Sequence, residues 1–425
     1  MSLKVRLNNL SDVLKEKIEK DLQIKIENKT FSGFNNSNVK YLYPYDLQDG
    51  IVSVPFFYGI NTLKLKSPER HTFAKRIVKF NGKLYEHQKE VKSNAIKQLN
   101  KTGSIIISMG TGMGKTITSI NIATKLKFKT LVVVNKIILM KQWKESIESF
   151  CEDVKVQSVT TKTKIKDDID FYIVNCMNIP KLDKSFLSQI GCCIIDEVHL
   201  IVAEKLSRSL LNLSPRYCIA LSATPYRIDG LNILLDLYFG TNKIVKKLHK
   251  KHTVYKIKTG IYPEVDYTVN GKINWNLVID SLSNNNERNE MIINIVKKNK
   301  DRNILILVKR ISQGEYLNTR LLEEDINVET LLGDKQEFDK NCQTLIGTSS
   351  KVGTGFDFKK LDCLIIAIDI KEYFSQFLGR IFRRNDIEPI VFDLVDNNTI
   401  IQNHFRTRKK TYIDVGGVIN TNYVI

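Results

Sequence analysis

The chain has 425 residues, more than one compact domain usually holds and enough for two or three. Its 42% hydrophobic and 26% charged content is that of a globular protein with ample core, which excludes a disordered or fibrous chain. A net charge of +19 points to a polyanionic partner, most often nucleic acid, although an AT-rich genome also drives codons toward Lys, Asn and Ile, all plentiful here. No apolar run reaches transmembrane length and no signal-peptide core opens the N-terminus. The expectation is a soluble, intracellular protein with no membrane partner. Seven cysteines, Cys151, Cys176, Cys192, Cys193, Cys218, Cys342 and Cys363, include no C-x-x-C pair, and read as free thiols in a reducing compartment.

Residues 1–78 read as a small α+β accessory module. Ser11 can cap a helix running to Leu22, with Val13, Leu14, Ile18 and Leu22 on one face. Strands are expected at residues 4–7 and 24–26, and residues 51–58 form a strand-like run containing Pro55. The aromatics Tyr41, Tyr43 and Tyr45 suit either base stacking or a core against the next domain. Residues 63–83 carry seven Lys or Arg against one Glu, as a linker or basic edge would.

A helix opens at Leu84-Tyr85-Glu86-His87-Gln88. The Gln88 amide can pair donor and acceptor with an adenine edge, or simply stand exposed on the helix. The β-branched run Ser104-Ile105-Ile106-Ile107-Ser108-Met109 then ends in Gly110-Thr111-Gly112-Met113-Gly114-Lys115-Thr116 and continues as a helix. A strand passing through a glycine loop into a helix N-terminus presents backbone N–H groups and the helix dipole to an anion. Lys115 would reach the β- and γ-phosphates of ATP, and the Thr116 hydroxyl would hold Mg²⁺. The general pattern asks for glycine where Met109 stands.

Beyond the loop, short apolar strands at residues 130–134, 171–174, 192–195 and 217–221 alternate with helical segments, which predicts a parallel, doubly wound sheet. Two of them end in chemistry. Residues 192–195 run into Asp196-Glu197-Val198-His199, where Asp196 is placed for Mg²⁺ and Glu197 for the attacking water. Residues 217–221 run into Ser222-Ala223-Thr224-Pro225, whose hydroxyls could sense the γ-phosphate or merely cap a turn. Residues 241–258 hold seven lysines and no acid and read as a linker or basic surface. A second alternating segment follows, with strands expected at residues 303–308, 343–347, 364–369 and 390–394 and a helix over 313–323. In Gln376-Phe377-Leu378-Gly379-Arg380-Ile381-Phe382-Arg383, the polar residues Gln376, Arg380 and Arg383 fall at i, i+4 and i+7, one face of a helix. Two arginines so placed suit an arginine finger on a transferring phosphoryl group.

Taken together, Gly112–Thr116, Asp196-Glu197-Val198-His199 and Ser222-Ala223-Thr224-Pro225 resemble motifs I, II and III of superfamily 2 helicases and translocases, in which the Met109 departure is normal. Residues 132–135 with Gln142 and Trp143 resemble motif Ia, which contacts the nucleic-acid backbone. Residues 304–308 resemble motif IV. Thr348-Ser349-Ser350 through Gly353-Thr354-Gly355-Phe356-Asp357 resembles motif V, and 376–383 motif VI. The resemblance covers about residues 80 to 395 and implies an α/β, P-loop NTPase fold of two RecA-like lobes with parallel sheets. The boundaries expected are 1–78 for the accessory module, 79–245 for the first lobe and 246–425 for the second. It further implies ATP and Mg²⁺ as cofactors, Thr354 and Gly355 near the strand, Asp357 near the ribose, and Ser222 and Thr224 in coupling.

Within the superfamily the chain is most similar to the transcript-release helicases of poxviruses and other large DNA viruses, and to phage branch-migration helicases. That implies an ATP-driven motor on nucleic acid, DNA ahead of RNA, with viral transcription machinery as a further partner, a monomeric state, and host cytoplasm or virion as location. Two other readings stay open: a nucleic-acid-binding regulator that binds ATP without turnover, and a nuclease-linked motor subunit, which would need a nuclease segment that the sequence does not present.

Overall fold

The computed structural model describes residues 1–26, 40–202, 207–223, 231–353, 356–370 and 374–425. Two units are distinguished by their internal contacts: Met1–Met109 with Met113–Lys246, and Gly110–Gly112 with Lys247–Ile425. Each is described by itself.

The first unit is built on a seven-stranded sheet in the order Val156–Val159, Phe171–Asn175, Thr130–Val134, Cys192–Ile195, Tyr217–Ser222, Ser104–Met109, Lys243–Lys246, with every pairing parallel. Its strands are short apolar runs because helices cover both faces. Period-two alternation sorts one strand between the two layers. Ile105, Ile107 and Met109 pack with Val91, Ala95, Leu99 and Ile120 from the helices Glu86–Thr102 and Lys115–Leu126. Ile106 faces the opposite layer with Val133, Cys193 and Leu234. The register places Ser222 opposite Ser108 and Ile195 opposite Ala220, so the three strands that end in chemistry are contiguous and open onto one edge.

The N-terminal residues form an antiparallel three-stranded sheet, Ser2–Arg6, Ile51–Pro55 and Asp46–Gln48, beside the helix Asp12–Asp21. Ser11 caps that helix by accepting from the Leu14 N–H. The strand-like run expected to reach residue 58 stops at Pro55, after which Phe56–Asn61 is helical, since proline cannot donate to a ladder but suits the start of a helix. Met1, Leu3 and Phe56 join the core of the large sheet, and the Ser2 Oγ donates to the Leu211 carbonyl at 2.7 Å.

The second unit repeats the all-parallel design in the order Val328–Leu331, Thr344–Thr348, Ile304–Val308, Cys363–Ile366, Ile390–Val395, His252–Lys258, Gly417–Asn420. The lysine-rich stretch, read as a linker or a basic surface, is mostly strand. Lys243–Lys246 forms the edge of the first sheet, and His252–Lys258 lies between two strands of the second. Lysines hid the pattern because their stems cover apolar surface while their ammonium groups stay in water. The residues after 397 are also structured, as the helix Thr399–Asp414 and the strand Gly417–Asn420. All seven cysteines are buried and free. Among the described residues no helix is long and apolar enough to cross a membrane.

Candidate functional site

The loop between Ser104–Met109 and Lys115–Leu126 turns on two left-handed glycines, Gly112 and Gly114, each with φ +84°. A Cβ at Gly114 would also lie 2.3 Å from the Gln88 Nε2, so the Gln88 amide would have to leave its place beside the loop. Gly114 caps the helix, and its carbonyl accepts from both the Thr118 N–H and the Thr118 hydroxyl. Thr116 follows Lys115 in the first turn, so both stand at the positive end of a twelve-residue helix. Lys115 Nζ donates across the loop to the Met109 carbonyl at 3.1 Å. Met109 itself is fully buried among the helices, which explains why an apolar residue serves where the general pattern has glycine.

Gln88 is 3% exposed. Its Oε1 accepts from the Tyr85 N–H at 2.9 Å, closing the helix N-terminus, and its Nε2 donates to the Met113 carbonyl at 3.0 Å. His87 Nε2 lies 3.2 Å from the same carbonyl. The amide that the sequence aims at an adenine edge is thus engaged inside the protein, where it ties the helix Glu86–Thr102 to the loop.

Asp196 and Glu197 follow the strand Cys192–Ile195, as expected. Asp196 is 9% exposed and holds two donors: the Trp143 indole Nε1 to Oδ2 at 2.8 Å and the Glu197 N–H to Oδ1 at 3.0 Å. Burial first, then the Glu197 carboxylate, raises the Asp196 carboxyl to about 6, while Trp143 and Lys115 act in the opposite sense. Glu197 sits at φ +47°, a left-handed conformation uncommon outside glycine and frequent at functional sites. Its Oε2 is buried with no hydrogen-bond partner, 3.5 Å from His199 Nδ1. His199 Nδ1 also lies 2.9 Å from the Ser222 Oγ, so the ends of two adjacent strands are joined by a buried side-chain bridge. The sequence reading gave His199 no role of its own; its place in the Asp-Glu-Val-His run was the available signal.

A divalent cation fits this donor set. Two carboxylates adjoin here, Asp196 with its affinity for a proton raised by burial and by Glu197, and Glu197 with a buried oxygen that has no hydrogen-bond partner. Among the described residues no group of three or more His, Cys, Asp or Glu is arranged for a metal. Mg²⁺ is commonly held through one or two carboxylates together with substrate phosphates, a role open to Asp196 at its strand end.

Trp143 is corrected as a strand contact. At 2% exposure its indole is turned into the protein and onto Asp196. Gln142, the preceding residue, is half-buried. The large apolar residues that this helix presents to solvent are Ile137, 78% exposed, and Ile138.

In the second unit the helix Phe374–Ile381 carries Gln376 and Arg380 on one buried face. Arg383 lies two residues past its end, so the three do not share a helical face as the spacing predicts. Arg380 is 7% exposed, with Nη1 donating to the Phe356 carbonyl at 2.5 Å and Nη2 to the Gly353 carbonyl. It braces the motif V segment from inside. Arg383 forms an ion pair with Asp357, whose carboxylate faces that arginine, and its Nε is buried without a partner. Burial lowers the affinity of the Arg383 guanidinium for its proton. Of the remaining site residues, Thr224, Thr354 and Gly355 lie outside the described residues.

Comparison with known proteins agrees with this architecture. A family model described as the type III restriction enzyme res subunit matches residues 81–227. Over the whole of both chains the sequence is 42% identical to the helicase 161L of Invertebrate iridescent virus 6. It is 26% identical to the transcript termination protein A18 of Yaba-like disease virus, over 82% of this chain and 79% of that one. Among solved structures, S. cerevisiae Dbp5 bound to RNA and ADP BeF3 superposes with a TM-score of 0.54 at 14% identity, covering 85% of this chain and 92% of that chain, which shows a shared fold.

Proposed function

The chain belongs to the superfamily 2 helicases, in the group carried by large DNA viruses, and from that premise we propose that it is a DNA-dependent motor acting in transcript release. Members of this family hydrolyse ATP in a nucleic-acid-dependent manner, and the chain is an ATPase of that kind.

The observation that carries the reading is the buried constellation at the strand ends, in which Trp143 holds Asp196, and Ser222 and Glu197 both adjoin His199. Lys115 and the loop N–H groups bind the phosphates. Asp196 with the Thr116 hydroxyl would hold Mg²⁺, which when bound neutralises phosphoryl oxygens. Glu197, its orphan Oε2 already desolvated, orients water and accepts its proton. By its resemblance to the second arginine of motif VI, Arg383 would serve as an arginine finger. The His199–Ser222 bridge links the motif III strand to the catalytic carboxylate, the connection that coupling needs. Support for transcript release is the likeness to a transcript termination protein, and support for a nucleic-acid track is the +19 charge.

The test is ATP hydrolysis by the purified protein alone, then with single-stranded DNA, duplex DNA and RNA, with Glu197→Gln as control. Strong stimulation by DNA that Glu197→Gln abolishes is the expected result. Stimulation by RNA alone moves the track to RNA. Absence of turnover with every polymer leaves an ATP-binding regulator.

A further inference from the structure

The second unit carries a cluster of cations that lies outside every segment resembling a helicase motif. Along the strand His252–Lys258, Lys256 and Lys258 stand at alternate positions and so share a face. The helix Thr399–Asp414 buries Ile401, Phe405, Arg408 and Tyr412 and lays Phe405 against that face, with Lys256 Nζ 4.7 Å from the Phe405 ring centroid. Arg406, Lys409 and Lys410, one helical turn apart, are exposed beside it.

Some other lysines of this unit have an acid beside them, as Lys247 has Asp414, Lys251 Glu388, Lys297 Glu324 and Lys335 Glu329. Among the described residues none of the five clustered cations has a carboxylate partner within ion-pair distance. Asp393, the acid whose charge acts on Lys256, is fully buried and already bonded by Arg408 and Tyr412. The mutual repulsion is felt by Lys256, whose ammonium is disfavoured by burial first and then by Lys258, Lys409 and Arg406. Like charges at i, i+3 and i, i+4 on a helix oppose its formation. Five cations held together in this way repel one another, and a bound polyanion would supply the counter-charge.

We propose that Lys256, Lys258, Arg406, Lys409 and Lys410 form a second nucleic-acid contact, one that grips phosphates through charge alone. The proposal rests on the nucleic-acid reading above and extends it to a surface that the motifs do not include. Contacts of this class carry no base information, and each releases counterions from the backbone on binding.

The experiment compares Lys258→Gln/Arg406→Gln/Lys409→Gln with a control of equal charge change, Lys79→Gln/Lys155→Gln/Lys335→Gln, whose lysines are exposed and paired with acids. Affinity for labelled oligo(dT), duplex DNA and oligo(U) is measured by anisotropy across salt concentrations. For the patch variant the log–log salt slope should become shallower by about 2, with affinity about tenfold weaker near 0.1 M salt, similarly for all three polymers. Its ATPase without nucleic acid should be unchanged, and the polymer concentration for half-maximal stimulation should rise. Equal slopes for the patch variant and the control overturn the proposal while leaving the motor intact. A wild-type protein that neither binds nor responds to any polymer overturns the nucleic-acid reading and this proposal with it.

Discussion

The indole N–H of Trp143 and the Oδ2 of Asp196 are 2.8 Å apart, although 53 residues separate them in sequence. The helix Ile137–Phe150 follows the strand Thr130–Val134, whose Val133 lies opposite Ile195, so the tryptophan arrives directly beside the carboxylate. A rigid donor in a buried site holds that carboxylate in one rotamer.

Trp143→Phe should keep the packing and remove the donor. Losing a charge-assisted hydrogen bond in a buried site costs about 1.5–3 kcal/mol, so turnover should fall roughly 10- to 100-fold. The Mg²⁺ concentration for half-maximal activity should rise as well, whereas a purely structural role would move only the melting temperature. ATPase titrated with Mg²⁺, beside thermal unfolding, separates the two.

A Gln88 turned inward and a Gln88 that reads adenine predict opposite outcomes. If the amide braces the loop, Gln88→Glu, which keeps the cap and loses the donor to Met113, should raise KM for ATP and GTP alike by about tenfold. A selective loss of ATP preference would instead restore the adenine role. KM values for the two nucleotides decide it.

Arg380 and Arg383 should separate in their effects. Arg380→Ala removes a buried bridge to two backbone carbonyls and should destabilise the second unit by about 3 kcal/mol. If Arg383 acts as an arginine finger, Arg383→Ala should leave the melting temperature nearly unchanged and lower turnover about 10³-fold. Equal losses of stability in both variants would refute the division.

Ser222→Ala removes one partner of His199 while leaving the phosphate loop and both carboxylates in place. Hydrolysis should persist within about tenfold, whereas strand displacement per ATP consumed should drop much further. Parallel loss of both would place Ser222 in the chemistry itself.

Burial pushes the Cys193 thiol up to about 12 and the Cys192 and Cys218 thiols higher still. Because only the thiolate alkylates, raised values mean less reaction near neutral pH. Native protein treated with iodoacetamide should show these three unmodified by mass spectrometry, and the unfolded chain should show all seven modified.

What the sequence determined by itself is local. A β-branched run ending in glycines, then Lys-Thr, specifies the strand, the left-handed turns at Gly112 and Gly114, and the helix N-terminus, because each step depends on neighbours a few residues away. The same holds for Asp196-Glu197 at the end of a four-residue apolar strand and for the Ser11 cap. The tertiary structure alone decided which side chains meet. Sheet order brought Trp143 to Asp196 and Ser222 to His199, and the early end of the helix Phe374–Ile381 sent Arg380 inward and Arg383 to Asp357. It also made strands of the lysine-rich segment, since pairing with Ile390–Val395 and Gly417–Asn420, far off in sequence, satisfies a backbone whose side chains advertise a loop. Local propensity acts over one turn or one strand; burial, hydrogen bonding and register act across the fold, and they place the chemistry.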